Sequence, residues 1–270
     1  MIKAIDVHGH FGPVGGFPQK GKEKELMSLT LEEVEKSYRA AEIERAFISP
    51  ADGIFFFGDR TLEEANHIMY QLSMEKEWLY QWAVVHPEIP DSFVQAERLL
   101  QSEKCVGIKI HPDAHGYHIS EYGSKIFEFA SRYHATVETH SGDRLSPPEA
   151  FTVYGDQYPE VKILLSHLGN NCDGDVTHHV RAIQNSKNGN LFTDTSSMKS
   201  ILPGLIEWAV SEIGSEHILM GTDIPLHHAG MMRSRVDYAA LPISDKENIL
   251  YKNAEKLFFG ETRQKGGTTL

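Results

Sequence analysis

The sequence predicts a single α/β domain folded as a (β/α)8 TIM barrel, on three observations. Short apolar segments with strand character recur eight times along the 270 residues. From the fourth onward they start at 106, 135, 162, 191 and 217, a spacing of 26 to 29 residues, close to one βαβ step. The stretches between them carry helical periodicity and helix-start signals, so strands and helices alternate. Alternation implies a parallel sheet with helices outside, and eight units in about 250 residues match a closed barrel. An open doubly wound sheet is the rival. It favours a Gly-rich first turn, and His8-Gly9-His10-Phe11-Gly12-Pro13 is no G-x-G-x-x-G fingerprint.

The elements follow in order. IKAIDVH from Ile2 enters the first strand at once. After it, FGPVGGFPQKGKEKELMSLT is long and rich in Gly and Pro, and reads equally as a lid over the barrel mouth or as a plain surface loop. Thr30 with Glu33 forms a capping box that opens a helix, and AFISP from Ala46 is the second strand. The next turn, Gly53 to Arg60, holds three phenylalanines, as an apolar wall for a substrate or as a contact between subunits of a homo-oligomer. A second capping box, Thr61 with Glu64, precedes LYQWAVV from Leu79. VGIKIH, ATVETH, KILLSH, LFTDTS and HILMGTD complete the eight strands. A third box, Ser244 with Glu247, opens a last helix whose apolar residues Ile249, Leu250, Ala254, Leu257 and Phe258 share one face. The barrel domain is therefore set at 1–260, and 261–270 reads as a polar tail.

Composition narrows the function. With 40% hydrophobic residues the chain can bury a full core, and no apolar run approaches the roughly 20 residues that span a bilayer. The start shows no signal-peptide pattern, so no membrane association and a cytoplasmic location are expected. Cys105 and Cys172 lie in no C-x-x-C or nucleophile context, which fits a reducing compartment. A formal net charge of -12 disfavours nucleic acid and leaves a small molecule as the expected partner.

Barrel chemistry sits at the C-terminal ends of strands, which makes a demand on the polar residues. His8 and His10 end the first strand, Lys109 and His111 the fourth, His140 the fifth, His167 the sixth and Asp223 the eighth. His67, His134, His178 and His179 fall instead on helices or exposed loops. One H-x-H is common by chance in a chain with 15 histidines; the convergence on strand ends is the signal.

These residues resemble a known group. D-V-H-G-H, V-E-T-H, L-L-S-H-L-G-N, G-T-D-I-P and the final N-A-E-K-L-F are similar to the metal-dependent hydrolase, or amidohydrolase, superfamily. Within it they most resemble the amidohydrolase-related group of amidohydrolase 2 type, which also contains non-oxidative decarboxylases. The resemblance implies one or two divalent ions, with His8, His10 and His140 as nitrogen ligands and Asp223 as an oxygen ligand. His167 would bind a second ion or act as acid/base beside the first. Such donors suit Zn²⁺, the expected ion, and also Mn²⁺, Fe²⁺, Co²⁺ or Ni²⁺. On a zinc-like ion the pKa of water falls from 15.7 to about 7, and Asp223 could accept its proton. Asp6, deeper on the same face, would orient a ligand or serve only the structure.

Lys109 has three accounts: carboxylated and bridging two ions, binding a substrate carboxylate, or pairing with a neighbouring acid. With His111 and Arg144 it is assigned to the substrate; Lys199 is a further candidate for an anion, and His115, His227 and His228 are assigned no role. The expected activity is hydrolysis of an amide, ester or lactone of a small molecule by metal-activated water. The alternatives are a metal-dependent decarboxylase using the same ligands, and a non-catalytic metal-binding barrel.

Overall fold

A computed structural model describes residues 2–12, 21–55 and 60–260. Eight parallel strands, β1 (Ile5–Gly9), β2 (Arg45–Ile48), β3 (Leu79–Val84), β4 (Cys105–Ile110), β5 (Thr136–Thr139), β6 (Ile163–Leu165), β7 (Leu191–Asp194) and β8 (Ile218–Leu219), pair in that order. The chain is a TIM barrel with helices between its strands, as the spacing predicts. The turn after β8 returns to β1: Val7 N donates to Met220 O, Asp223 N to His8 O and His10 N to Ile224 O, at 2.7–2.9 Å.

Inward side chains build two layers inside the barrel, with an irregularity of β1 between Asp6 and Gly9 where its strict alternation breaks. Below, Val7, Phe47, Trp82, Leu164, Phe192 and Leu219 pack together, and Phe258 of the helix Asn253–Phe258 closes the floor against Phe47 and Trp82. Above them, toward the strand C-termini, His8, Ser49, Lys109, Glu138 and Asp194 are all buried. A dry apolar base beneath polar side chains strengthens every charge interaction in the upper layer. Gly107 of β4 makes the lower layer possible, because a Cβ there would stand 2.6 Å from the Trp82 ring and 2.3 Å from Thr136 O.

Helix starts follow the capping chemistry in two cases of three. Thr30 and Thr61 each accept from the N3 backbone, while Glu33 and Glu64 return to the cap backbone. The third expectation is corrected. The helix Ile243–Glu247 starts two residues early, from extended Pro242, which leaves Ser244 inside the first turn and without a capping bond. On the N-terminal face the guanidinium of buried Arg233 donates to the carbonyls of Ile2, Ala41 and Glu42 and pairs with Asp237. A cleft of about 450 Å³ on that face, lined by Ile2, Lys3, Arg39, Glu42, Ile43 and Glu44, lies away from the polar layer.

Residues 13–20 of the expected lid, two of the three phenylalanines (Phe56 and Phe57) and the tail 261–270 lie outside the described residues, and the later part of that connection carries a short helix, Gly21–Leu26. Neither Cys105 nor Cys172 is in a disulfide. Among the described residues no helix is long and apolar enough to cross a membrane. His179 lies on the helix His178–Asn185 and is fully buried, its Nε2 2.9 Å from both Ser141 Oγ and Ser166 O, and burial lowers its pKa to about 4.

Candidate metal centre

Hydrogen-bond partners fix the protonation of the first two imidazoles. His10 Nδ1 lies 3.1 Å from Ser49 O, and a carbonyl only accepts, so that nitrogen carries the proton. His8 Nδ1 faces two carboxylates, Glu138 Oε1 at 3.0 Å and Asp194 Oδ2 at 3.1 Å, and carries its proton for the same reason. Both Nε2 atoms therefore present lone pairs, and they stand 3.2 Å apart. Asp223 Oδ1 lies 3.5 Å from His8 Nε2 and 3.3 Å from His10 Nε2. Three electron-pair donors turned toward one another repel unless a cation sits among them. Two donors about 2.1 Å from one ion lie about 3.0–3.4 Å apart at octahedral or tetrahedral angles, which is the spacing found. The donor set thus fits a divalent ion.

His140 and His167 form the adjoining part of the site. His140 Nε2 is 2.7 Å from Asp143 Oδ2, which turns Nδ1 inward to 3.1 Å from His167 Nε2. Carboxylate support of this kind is usual behind a ligating imidazole. His167 Nδ1 lies 4.0 Å from Asp223 Oδ2. Among the described residues, three groups of side chains each bring one donor atom per residue within 4.8 Å of the others: His8, His10 and Asp223; His8, His167 and Asp194; and Asp113, His140 and Asp143. The five expected ligands are thus split, with His140 reaching the first group only through His167.

Backbone conformation marks the same positions. His167 and Asp223 have φ of +74° and +56°, a left-handed state that non-glycine residues rarely hold and that clusters at functional sites. Electrostatics agree. Burial would raise the carboxyl of Asp223, but the imidazoles of His10, His8 and His167 around it hold it well below the usual carboxylate range. Burial lowers His10, and lowers His167 strongly. For His8, burial and the Lys109 charge work downward, and Glu138 with Asp194 outweigh them. Burial lifts Asp6 to about 7, although it accepts from His8 N, Thr222 N and the Thr222 hydroxyl.

The expected substrate residues divide. Lys109 is 1% exposed and pairs with Glu138 Oε1 at 2.9 Å, with His8 Nε2 at 3.4 Å, an arrangement that matches simple pairing with an acid. The His111 ring stacks on His140 at 4.0 Å with an interplanar angle of 7°, and Phe55 meets it edge-on. Its Nδ1 accepts from Ala114 N at the start of a short helix. Arg144 and Lys199 are exposed on the loops after β5 and β7. His115 is buried against His86 with its pKa lowered by burial to about 3, and His228 caps the helix Ala229–Asp237.

Three residues of the site escaped the sequence reading: Asp194, Ser196 and Glu138. The signal was available, because T-D-T-S closes the seventh strand and V-E-T-H the fifth, and the strand-end rule applies to acids as well as histidines.

Fold and site together define the class of closed barrels that gather imidazoles and carboxylates at the C-terminal mouth to hold a metal. The amidohydrolase family model, of the amidohydrolase 2 type, matches residues 5–260, and the chain belongs to that family. A curated relative, 2-amino-3-carboxymuconate-6-semialdehyde decarboxylase of Caenorhabditis elegans, is 30% identical over 105 residues, 38% of this chain but only 25% of the relative's length. Among solved structures, 5-carboxyvanillate decarboxylase from Sphingomonas paucimobilis aligns with a TM-score of 0.75 at 15% identity, over 96% of this chain and 99% of that one. Dihydroxybenzoic acid decarboxylase from a Polaromonas species, with bound manganese and the inhibitor 2-nitroresorcinol, aligns at 0.74 and 16%, over 96% and 97%. At those identities the structural likeness is one of fold.

These relatives correct the expectation of a hydrolase. Each is named for the loss of carbon dioxide, a carbon–carbon cleavage, and none for cleavage of an amide, ester or lactone. The expectation failed for a physical reason: one set of imidazoles and carboxylates can hold an ion for either reaction, so ligand identity does not separate them. Zinc is corrected with it, since the ion named in a similar structure is manganese.

Proposed function

We propose that the chain is a metal-dependent, non-oxidative decarboxylase of a small unsaturated or aromatic carboxylic acid, with Mn²⁺ as the first ion to try. The observation that carries this is the convergence of the His8, His10 and Asp223 lone pairs in a family whose curated relative is a decarboxylase. His8, His10 and Asp223 would hold the ion; His140 Nδ1, which lies outside their group, would have to move toward them to serve as a fourth donor. Once bound, the ion supplies a positive charge that grips the substrate and draws electron density from the bond to be broken.

The rest falls to the chain's own groups. His167 Nε2 accepts a proton from the substrate and returns it to the carbon that loses CO₂, so the electron pair left by the broken bond ends in a C–H bond. Stacked His111 and edge-on Phe55 form a flat wall on which a planar substrate lies. Arg144 is a cation at the mouth within the substrate role, and Lys109 with Glu138 anchors the base of the site. Cytoplasmic residence belongs to the same reading, supported by two cysteines outside any disulfide.

The test supplies Mn²⁺-loaded protein with 2,6-dihydroxybenzoate, 5-carboxyvanillate and 2-amino-3-carboxymuconate-6-semialdehyde, and follows CO₂ release beside ester and lactone cleavage. CO₂ release is expected from at least one acid, to vanish on chelation, and to fall about a hundredfold or more in Asp223→Asn. Ester or lactone cleavage without CO₂ release would overturn the proposal. Identical activities in Asp223→Asn and the unaltered chain would favour a non-catalytic barrel.

A further inference from the structure

We infer that Asp194, with Ser196 as its relay, is the positioning residue that sets the ring tautomers of both His8 and His167. The inference rests on the proposed metal and acid/base roles of those two histidines.

Asp194 ends β7 and is completely buried. Its Oδ2 accepts from His8 Nδ1 at 3.1 Å, beside Glu138 Oε1 at 3.0 Å and Ser196 Oγ at 3.2 Å, which commits the His8 Nε2 lone pair to the centre. Its Oδ1 accepts from three donors: His167 N at 3.0 Å, Ser196 N at 2.9 Å and the Ser196 hydroxyl. The first of these bonds, with Leu168 N donating to Asp194 O at 2.9 Å, pins the left-handed backbone at His167. A hydroxyl has one proton, and Ser196 spends it on Asp194. Its oxygen therefore accepts from His167 Nδ1 at 2.8 Å, which leaves the Nε2 lone pair facing the site. One carboxylate thus aims a ligand directly and the acid/base through a relay.

A second feature shows that the carboxylate cannot retreat. A Cβ at Gly221 would stand 2.9 Å from Asp194 Cγ, so Asp194 is pressed against the backbone turn that carries Asp223. The glycine of G-T-D-I-P makes room for an acid from the neighbouring strand.

The test compares Asp194→Asn, Ser196→Ala and Ser196→Thr. Imidazole nitrogen NMR on the zinc-loaded chain, where the ion is diamagnetic, reads the His167 tautomer, with the signal assigned by its loss in His167→Gln. Mn²⁺ calorimetry reads the ligand set, and CO₂ release reads turnover. Ser196→Ala is expected to lose the fixed Nδ1–H tautomer of His167 and to lower kcat about tenfold, with KM and Mn²⁺ affinity within about twofold; Ser196→Thr should restore both. Asp194→Asn should weaken Mn²⁺ binding about 10- to 100-fold. An unchanged His167 tautomer in Ser196→Ala would overturn the inference, as would full Mn²⁺ affinity in a folded Asp194→Asn chain. If the unaltered protein releases CO₂ from no acid, the proposed function falls alone, because NMR and calorimetry still judge the positioning.

Discussion

Gly9 separates the two histidines of the first strand, and its role is one of space. Its φ is not left-handed; a Cβ there would meet the Tyr38 hydroxyl at 2.3 Å and Ile224 at 3.3 Å. Tyr38 is buried and cannot swing away without disturbing Asp6 beside it. Gly9→Ala is therefore expected to cost about 1–3 kcal/mol of stability in a urea titration. It should also weaken Mn²⁺ binding, whereas a change confined to solvent-facing atoms would move neither quantity. A glycine between two histidines is visible in the sequence, but the tyrosine it accommodates lies 29 positions later on a helix, which no local pattern reveals. Asp194 and Ser196 stand at a strand end that the sequence shows, and what it hides is their partners, side chains on β1 and after β6.

Among the elements, the helix Leu205–Ile213 shows how charge holds helices to the barrel. Glu207 accepts from both terminal nitrogens of Arg235 on the helix Ala229–Asp237 and from Ala240 N at 3.0 Å. Burial works to raise its pKa, yet these bonds bring it down to about 2. A carboxyl lowered on folding stabilises the native state above its unfolded pKa of about 4.3, and that stabilisation fades as pH falls toward 2. Glu207→Gln should lower stability at pH 7 by about 1–2 kcal/mol and flatten the loss of stability between roughly pH 4.5 and 2, followed by thermal melts across that window. Parallel acid limbs for the two chains would count against this account. Helix starts at Thr30 and Thr61 were legible because capping is local, whereas Pro242 displaced the third start by fixing its own backbone two residues earlier.

At the scale of the whole molecule, eight strands were legible because each is a short apolar run at nearly constant spacing, and the barrel follows from that count. The reaction was not legible, because the ligands of a metal barrel report the ion and its support, not the bond that breaks. If the centre binds Mn²⁺ as proposed, a concentration about 100 times Kd adds about 2.7 kcal/mol to native stability. For a chain of this length that is a rise in Tm of roughly 5–10 °C, which His8→Ala should abolish. Equal shifts in the two chains would place the ion elsewhere.

The closure of the barrel has one more consequence. His8 and His10 lie on β1 and Asp223 follows β8, the two ends of the sheet, which meet through the backbone bonds of Val7, His10 and Asp223. A cation held by these three side chains would bind the first strand to the last, across more than 200 positions of sequence. It would act on the ring as a clasp does, making the last contact to form in folding also the hardest to reopen, because loop-closure entropy is greatest for ends so far apart. Amide hydrogens of β1 and of residues 220–224 would then exchange more slowly with ion present, while those of β4 and β5, on the opposite wall, would hardly change.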